Sequence, residues 1–365
     1  MASFDEVLKD CTKLGTKIPT SEYLENGKYP IIDQGQNDIA GYYDSDDGLF
    51  EDVPTIVFGD HTRIVKYIDK PCFLGADGVK LLCPVSKDTN CKYLFYQLAH
   101  AGIPNTGYNR HFKWVKALNF KIPSSDEQNH VVEVLDKVTE LISLRKQQLA
   151  RLDELVKARF VEMFGDAKLN PYDFPCNSLS EYILFLTSGS RGWSQYFTDS
   201  GEYFITIKNV KNCRITLQDV QYVIPPDNAE AKRTKVQEND LLISITADLG
   251  RTGVVPKEIA KHGAYINQHL TCIRLNLEKV NPIYVAYYME SDAGKEQFAS
   301  KNQSAVKAGL NFNAINSLKL IVPPLSLQND FAAFVERVDQ QKQTVQQSLE
   351  KLELMKKALM QEYFG

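Results

Sequence analysis

The chain has 365 residues, 43% hydrophobic and 24% charged, with a formal net charge of −4. That balance excludes a disordered or fibrous chain and fits a globular protein with material for more than one core. No apolar run is long enough to span a bilayer. Seven cysteines (Cys11, Cys72, Cys83, Cys91, Cys176, Cys213, Cys272) are scattered, odd in number and never spaced CxxC. This argues against a disulfide frame or zinc site and for reduced thiols in the cytoplasm. Net charge is −2 over residues 1–122, −3 over 123–166, +2 over 167–322 and −1 over 323–365. No segment is strongly basic, so a DNA-binding surface would need one-sided placement of charge and help from a partner.

Residues 4–8 predict a short helix. Short β-branched or aromatic runs at 30–32, 55–58, 64–68 and 79–82, broken by Gly, Asp and Pro, predict strands. A helix is expected over 92–101. A polar stretch, 104–111, then leads to a strand at 118–122 that stops at Pro123. Next comes a long helix that ends at Gly165. Asp126 is a good N-cap type, and Gly165 sits where a helix closes in the left-handed conformation.

A Pro- and Asn-rich linker, 166–178, opens a second passage with the same plan. Residues 179–182 answer 4–7, and strands are expected at 203–208, 220–223, 240–245 and 270–275. A helix at 282–291 matches 92–101, and Gly309-Leu310-Asn311 matches Gly107-Tyr108-Asn109. The strand at 318–322 runs into Pro323 and a second long helix, with Ser326 as the expected cap and Gly365 at its end. Overlaid at an offset of 200, residues 118–165 and 318–365 are identical at thirteen of 48 positions, including Pro123/Pro323, Gln128/Gln328 and Asn129/Asn329. Background composition would give roughly three. The chain therefore reads as an internal duplication.

Inward positions of the first long helix are Val131, Leu135, Val138, Ile142, Arg145, Leu149, Leu152, Val156, Arg159 and Met163. Those of the second are Phe331, Val335, Val338, Lys342, Val345, Leu349, Leu352, Lys356, Leu359 and Tyr363. Steps alternating four and three make a coiled-coil seam. So narrow a seam needs a partner, and the expectation is that the two helices pair antiparallel in a rod of roughly 55–60 Å. The fold class expected is α+β: two similar domains, 1–122 and 166–322, joined by two helical regions, 123–165 and 323–365, in a pseudo-twofold repeat.

Catalytic motifs are scarce. There is no GxxxxGK[ST] phosphate loop, no GxGxxG in a βαβ unit and no methyltransferase-type aromatic loop. Pro226-Asp227 with Glu230-Ala231-Lys232 imitates a metal-dependent nuclease signature. Its acids sit three apart in one segment, whereas such a site draws them from separate strands. Asp60-His61 and Asn267-Gln268-His269 have side chains suited to a metal or to acid–base work, although such residues at strand ends usually serve turns or recognise ligands. No catalytic residue, metal or cofactor is expected. What remains are residues that suit DNA. Arg pairs bidentately with guanine and Asn or Gln with adenine, while Lys, Ser, Thr and Tyr hold phosphates. The candidates are His61, Thr62, Arg63, Lys80, Asn105, Tyr108, Asn109, Arg110 and Lys113 in the first domain. In the second they are Arg191, Trp193, Lys208, Asn209, Lys232, Arg233, Thr246, Arg251, Asn267, Gln268, His269 and Lys307.

Pro123…Gln128 with the following helix through Met163-Phe164-Gly165, and Pro323-Pro324…Gln328 with Lys356-Lys357-Ala358-Leu359-Met360-Gln361…Phe364-Gly365, resemble the two conserved helical regions of specificity subunits of Type I restriction–modification enzymes. Pro54-Thr55-Ile56-Val57-Phe58-Gly59-Asp60-His61-Thr62-Arg63 with Gly75-Ala76-Asp77-Gly78 resembles one class of their target recognition domains. Gly189-Ser190-Arg191-Gly192-Trp193 with residues 240–253 resembles another. The resemblance implies a non-catalytic subunit whose two recognition domains each grip half of a split double-stranded DNA target. The helices would set the gap, about one 34 Å turn of DNA, and dock two methyltransferase subunits that recruit restriction subunits. Little precedes Phe4, so closure would bring Met1 near Gly365. A nuclease built on Asp227, Glu230 and Lys232, or a coiled-coil scaffold without a DNA role, is the alternative.

Overall fold

The computed structural model describes residues 1–75, 78–302 and 309–365. It forms two compact units, residues 1–148 with 345–365 and residues 149–344. Each contains a mixed α/β domain and portions of both long helices.

In the first unit a four-stranded antiparallel sheet runs in the order Leu8–Asp10, Val79–Pro84, Thr55–Gly59, Val65–Ile68. The Thr55–Gly59 strand is buried along its whole length, as its unbroken apolar run requires of an inner strand. A three-stranded sheet, Gly41–Tyr43, Tyr29–Ile32, Phe73–Leu74, pairs antiparallel and then parallel. Helix Cys91–His100 starts at Asn90, whose side chain accepts from the Lys92 and Tyr93 N–H groups. Strand Ala2–Ser3 pairs with Asn119–Phe120. Phe4, Leu8, Phe58, Tyr93 and Leu94 share one core with Val131 and Leu135 of the first long helix and Met360 of the second. Each such side chain contributes about 1.5–3 kcal/mol by leaving water.

The second unit repeats this wiring. Its four-stranded sheet runs Ile183–Ser188, Leu270–Leu275, Leu241–Ser244, Thr252–Val254. Its other sheet runs Phe197–Thr198, Gln221–Val223, Glu202–Ile205, Ala264–Ile266, with the last pair parallel. Helix Pro282–Glu290 is capped by Asn281, and Cys176–Ser178 pairs with Lys319–Ile321. Phe160, Phe164, Tyr284 and Phe331 form an aromatic cluster at its core, with ring centroids 4.7 Å apart for Phe164–Tyr284 and 5.4 Å for Phe160–Phe331.

The long helices are Ser125–Phe164 and Leu325–Phe364, 40 residues each. Every expected seam position on both is buried or half-buried. In the first unit Lys146 pairs with Glu353 at 3.1 Å. In the second Lys342 pairs with Asp153. Within each unit, therefore, the early part of one helix lies against the late part of the other, which is antiparallel pairing. The charged interruptions are accommodated locally. The Arg159 guanidinium sits 5.7 Å from the Phe334 ring centre. Lys356 lies 6.0 Å from the Tyr96 ring centre, and burial, with Lys146 nearby, lowers its pKa.

Neither predicted cap is the observed one. The first helix is capped two residues earlier than Asp126. Ser124 and Glu127 form a reciprocal box: the Glu127 carboxylate accepts from Ser124 N at 3.0 Å and Ser124 Oγ at 2.7 Å. Ser326 likewise lies inside the first turn, where Pro324 O accepts from Leu327 N and Gln328 N. Gly165 does take the left-handed conformation, φ +75°, and donates to Val161 O. Lys121 Nζ donates to Gly365 O at 2.8 Å, and Met1, Glu362 and Tyr363 line one cavity.

The Pro, Gln and Asn shared by the two copies do the same work twice. Gln128 Oε1 accepts from Asn90 N at 2.9 Å while its Nε2 donates to Pro123 O at 2.9 Å. Gln328 does the same with Asn281 N at 2.9 Å and Pro323 O at 2.7 Å. Asn129 and Asn329 accept from the side-chain amides of Asn90 and Asn281. Each long helix is thereby fastened to the residue that caps the neighbouring domain helix. Among the described residues, no helix is long and apolar enough to cross a membrane.

Candidate nucleic-acid interface

In the first domain the candidates gather at the end of strand Thr55–Gly59. The turn after it carries His61, Thr62 and Arg63, and Arg63 holds a left-handed φ of +63°. Arg63 Nη1 donates to Ile103 O at 3.2 Å, which ties this turn to the 103–111 loop. That loop is anchored by His111, which is fully buried. His111 N donates to Asp60 O at 2.8 Å, and its ring Nδ1 lies 2.9 Å from the same oxygen. Thr106 N donates to Nε2 at 3.3 Å, so Nε2 accepts and Nδ1 carries the proton. The Asp60 carboxylate, 4% exposed, accepts from Phe112 N at 2.7 Å. Asp60 is thus a structural clamp.

The loop so held presents Asn105, Tyr108, Asn109 and Arg110 to solvent. Tyr108 is 90% exposed and stacks on His61, with centroids 4.8 Å apart and planes 9° apart. Asn105 and Asn109 serve their own turn, accepting from Gly107 N and donating to Thr106 O. Lys113 is exposed and rests over Trp114, 5.3 Å from its ring centre. Lys80 pairs with Asp10 at 3.0 Å and lies 4.8 Å from the Phe112 ring centre. Partial desolvation opposes the charge on Asp10, but its Thr12 and Lys80 partners win and lower its pKa. Ala76 and Asp77 lie outside the described residues.

Sequence reasoning missed the segment 33–37. Gln34 Oε1 accepts from His61 N at 3.2 Å, and Gln34 O accepts from Thr62 Oγ1 at 2.7 Å. Lys66, 6% exposed, holds the segment from beneath through Asp33 at 3.4 Å and Asn37 O. The signal was available, because Gln34, Gln36 and Asn37 are amide side chains of the kind selected elsewhere.

The second domain assembles a comparable surface from different residues. Arg191 Nε donates to Gln268 Oε1. Gln268 Nε2 lies 3.2 Å from His269 Nε2, and His269 Nδ1 lies 2.7 Å from Thr246 Oγ1. Asn267 closes the turn by accepting from His269 N at 3.2 Å. Arg191, Thr246, Asn267, Gln268 and His269, scattered over some eighty positions of sequence, thus form one network. Arg251 pairs with Asp248, and Arg233 donates to Thr187 Oγ1 and Ser188 O. Lys208 is exposed without a role in the network.

Two residues expected on this surface lie beneath it. Trp193 is 3% exposed, packed on Phe204 and Tyr265, and donates to Glu230 Oε2 at 3.2 Å. Asn209 is 1% exposed and spends its side chain on Thr206, Thr216 O and Gln218 O. Both loops needed an interior anchor that sequence pattern did not reveal. Lys232 pairs at 3.1 Å with Asp227, both well exposed, so the nuclease-like segment is a surface helix start whose Glu230 is engaged by Trp193. Lys307 lies outside the described residues.

A family model described as the Type I restriction modification DNA specificity domain matches residues 5–154 and 194–354. A Methanocaldococcus jannaschii protein named as a type I restriction enzyme MjaX specificity subunit is 24% identical over 388 residues, covering 95% of this chain and 86% of its own. The EcoR124I/EcoR124II specificity subunit of Escherichia coli is 22% identical over 353 residues, covering 88% and 82%. The fold is similar to the crystal structure of a Type I restriction–modification S subunit from M. genitalium, with a TM-score of 0.62 at 16% identity over 100% of this chain and 95% of that one. The duplicated wiring, the paired helices and these likenesses converge: the chain belongs to the family of Type I restriction–modification DNA specificity subunits.

Proposed function

We propose that this specificity subunit reads a split double-stranded DNA target, each domain gripping one half. Residues 1–122 and 166–322 are the recognition domains, and 123–165 and 323–365 are the spacer regions that fix the gap. The subunit has no catalysis of its own. Two methyltransferase subunits dock on the helical regions, and restriction subunits join through them. The single observation that carries this reading is one wiring with two faces. The same edge of the four-stranded sheet carries His61 and Arg63 after its third strand in one domain, with Tyr108 stacked on His61, and Arg191 after its first strand with Gln268 and His269 before its second in the other. A common scaffold with divergent polar loops suits two different half-sites, because sequence is read at base edges while the frame need only place the loops.

The test is a domain exchange. Replacing residues 166–322 by the matching domain of a relative, in complex with the methyltransferase, is expected to change one half of the methylated sequence and leave the other. Changes in both halves, or in neither, would refute the modular reading.

A further inference from the structure

We propose that Arg191 reads a guanine in the half-site of the second domain, with Gln268 as its positioning residue; this deepens, and rests on, the reading proposed above. The backbone is fixed first. Gly189 N donates to Leu270 O at 3.0 Å, Ser190 N to Ile266 O at 2.8 Å, and Gln268 N to Ser190 O at 2.9 Å. A Cβ on Gly189 would lie 2.1 Å from Asn267 O, so only glycine lets these two segments approach so closely. Ser190, 2% exposed, is fixed again through its hydroxyl, 3.0 Å from Thr234 Oγ1. The backbone carrying Arg191 is therefore pinned to the backbone carrying Gln268.

The side chain is fixed next. Gln268 Oε1 takes the Arg191 Nε–H, and the Gln268 amide nitrogen faces His269 Nε2. That orients the amide unambiguously: its oxygen meets the guanidinium and its nitrogen meets an imidazole acceptor, leaving His269 Nδ1–H for Thr246 Oγ1. The chain of three bonds leaves one edge of the guanidinium uncommitted. Among the described residues, neither Nη of Arg191 has a hydrogen-bond or ion-pair partner, and the residue is exposed.

A planar fork held at Nε and free at both terminal nitrogens matches the two acceptors, O6 and N7, that guanine presents in the major groove. A phosphate contact would not need the fork held in one plane, since phosphate oxygens accept from many directions. Arg251 and Arg233, the other arginines nearby, have their head groups engaged by Asp248 and by Thr187 and Ser188.

The test uses the full chain with its methyltransferase and a library of DNA targets randomised in both half-sites. Wild type is expected to require G·C at one position of one half-site. Arg191→Ala should lose roughly tenfold or more of the discrimination at that pair, with every other position unchanged. Arg191→Lys should not restore it, because a single ammonium cannot supply the fork. Gln268→Ala should loosen the same position to a lesser degree. The first half-site is an internal control for folding and assembly. A uniform loss of affinity on every sequence would make Arg191 a phosphate contact and overturn the proposal. So would an unchanged preference, or loss of discrimination at an A·T pair. If wild type showed no split target at all, the specificity reading itself would fail, which is a separate outcome.

Discussion

The two glutamines of the repeat offer a worked perturbation. Gln328 is fully buried. It satisfies Asn281 N and Pro323 O at once, at 2.9 and 2.7 Å. Gln328→Met keeps the volume and removes both bonds, leaving the buried Pro323 O and the half-buried Asn281 N without partners. An unpaired buried group costs about 1–3 kcal/mol and the half-buried N–H less, so the substitution should destabilise the second unit by roughly 1–4 kcal/mol, a sizeable share of the roughly 5–15 kcal/mol of a typical domain. Urea unfolding followed by circular dichroism measures the total. Native-state hydrogen exchange locates it: protection should fall in helix Pro282–Glu290, which Asn281 caps, and hold in Cys91–His100. Gln128→Met should give the mirror pattern, since Gln128 makes the matching bonds to Asn90 and Pro123. A loss below about 0.5 kcal/mol, or a uniform rise in exchange, would refute this account of why the repeat keeps its glutamine.

Other predictions rest on separate features. Asp240 is fully buried and binds Arg274 through two bonds of 2.8 Å; Arg274→Ala removes its ionic partner and leaves only the neutral donors Gln237 N and Cys272 Sγ, which should cost up to about 3–5 kcal/mol, as read from a shifted urea midpoint. Six cysteines are buried and Cys176 alone is exposed, and burial pushes the Cys72, Cys83 and Cys91 thiols up to about 12. A chromogenic disulfide should therefore titrate one thiol quickly in the native protein and all seven after unfolding. Its bonds to Ser124 hold the Glu127 carboxyl below its usual 4.5. That contribution is present above pH 4.5 and lost as the pH falls through the lowered value, so Glu127→Gln should flatten the acid limb of helicity measured by circular dichroism. Finally, lengthening both long helices by one heptad, about 10 Å, should widen the gap between half-sites by about three base pairs. An unchanged gap in the mapped target would sink the spacer reading.

Much of this architecture was legible in the sequence because it follows from periodicity. The seam positions are set by steps of three and four, and all of them are buried or half-buried. Strands such as Leu270–Leu275 stand where their apolar runs put them. Caps were less legible, since Ser124 competes with Ser125 and Asp126 and only the reciprocal bonds of Glu127 decide among them. The candidate surface was legible by residue type and not by orientation. Arg191 and Trp193 are two positions apart, yet one is exposed and the other fills a cavity among Phe204 and Tyr265. The segment 33–37 escaped notice because it joins the surface only through tertiary bonds to His61 and Thr62.

The central claim is that one chain carries two DNA readers held at a set separation. Mapping the methylated sites in a host that carries this chain and its methyltransferase tests it most directly. The account predicts two short defined sequences separated by an unspecified gap of constant length. A single contiguous motif, or a gap that varies from site to site, would contradict it.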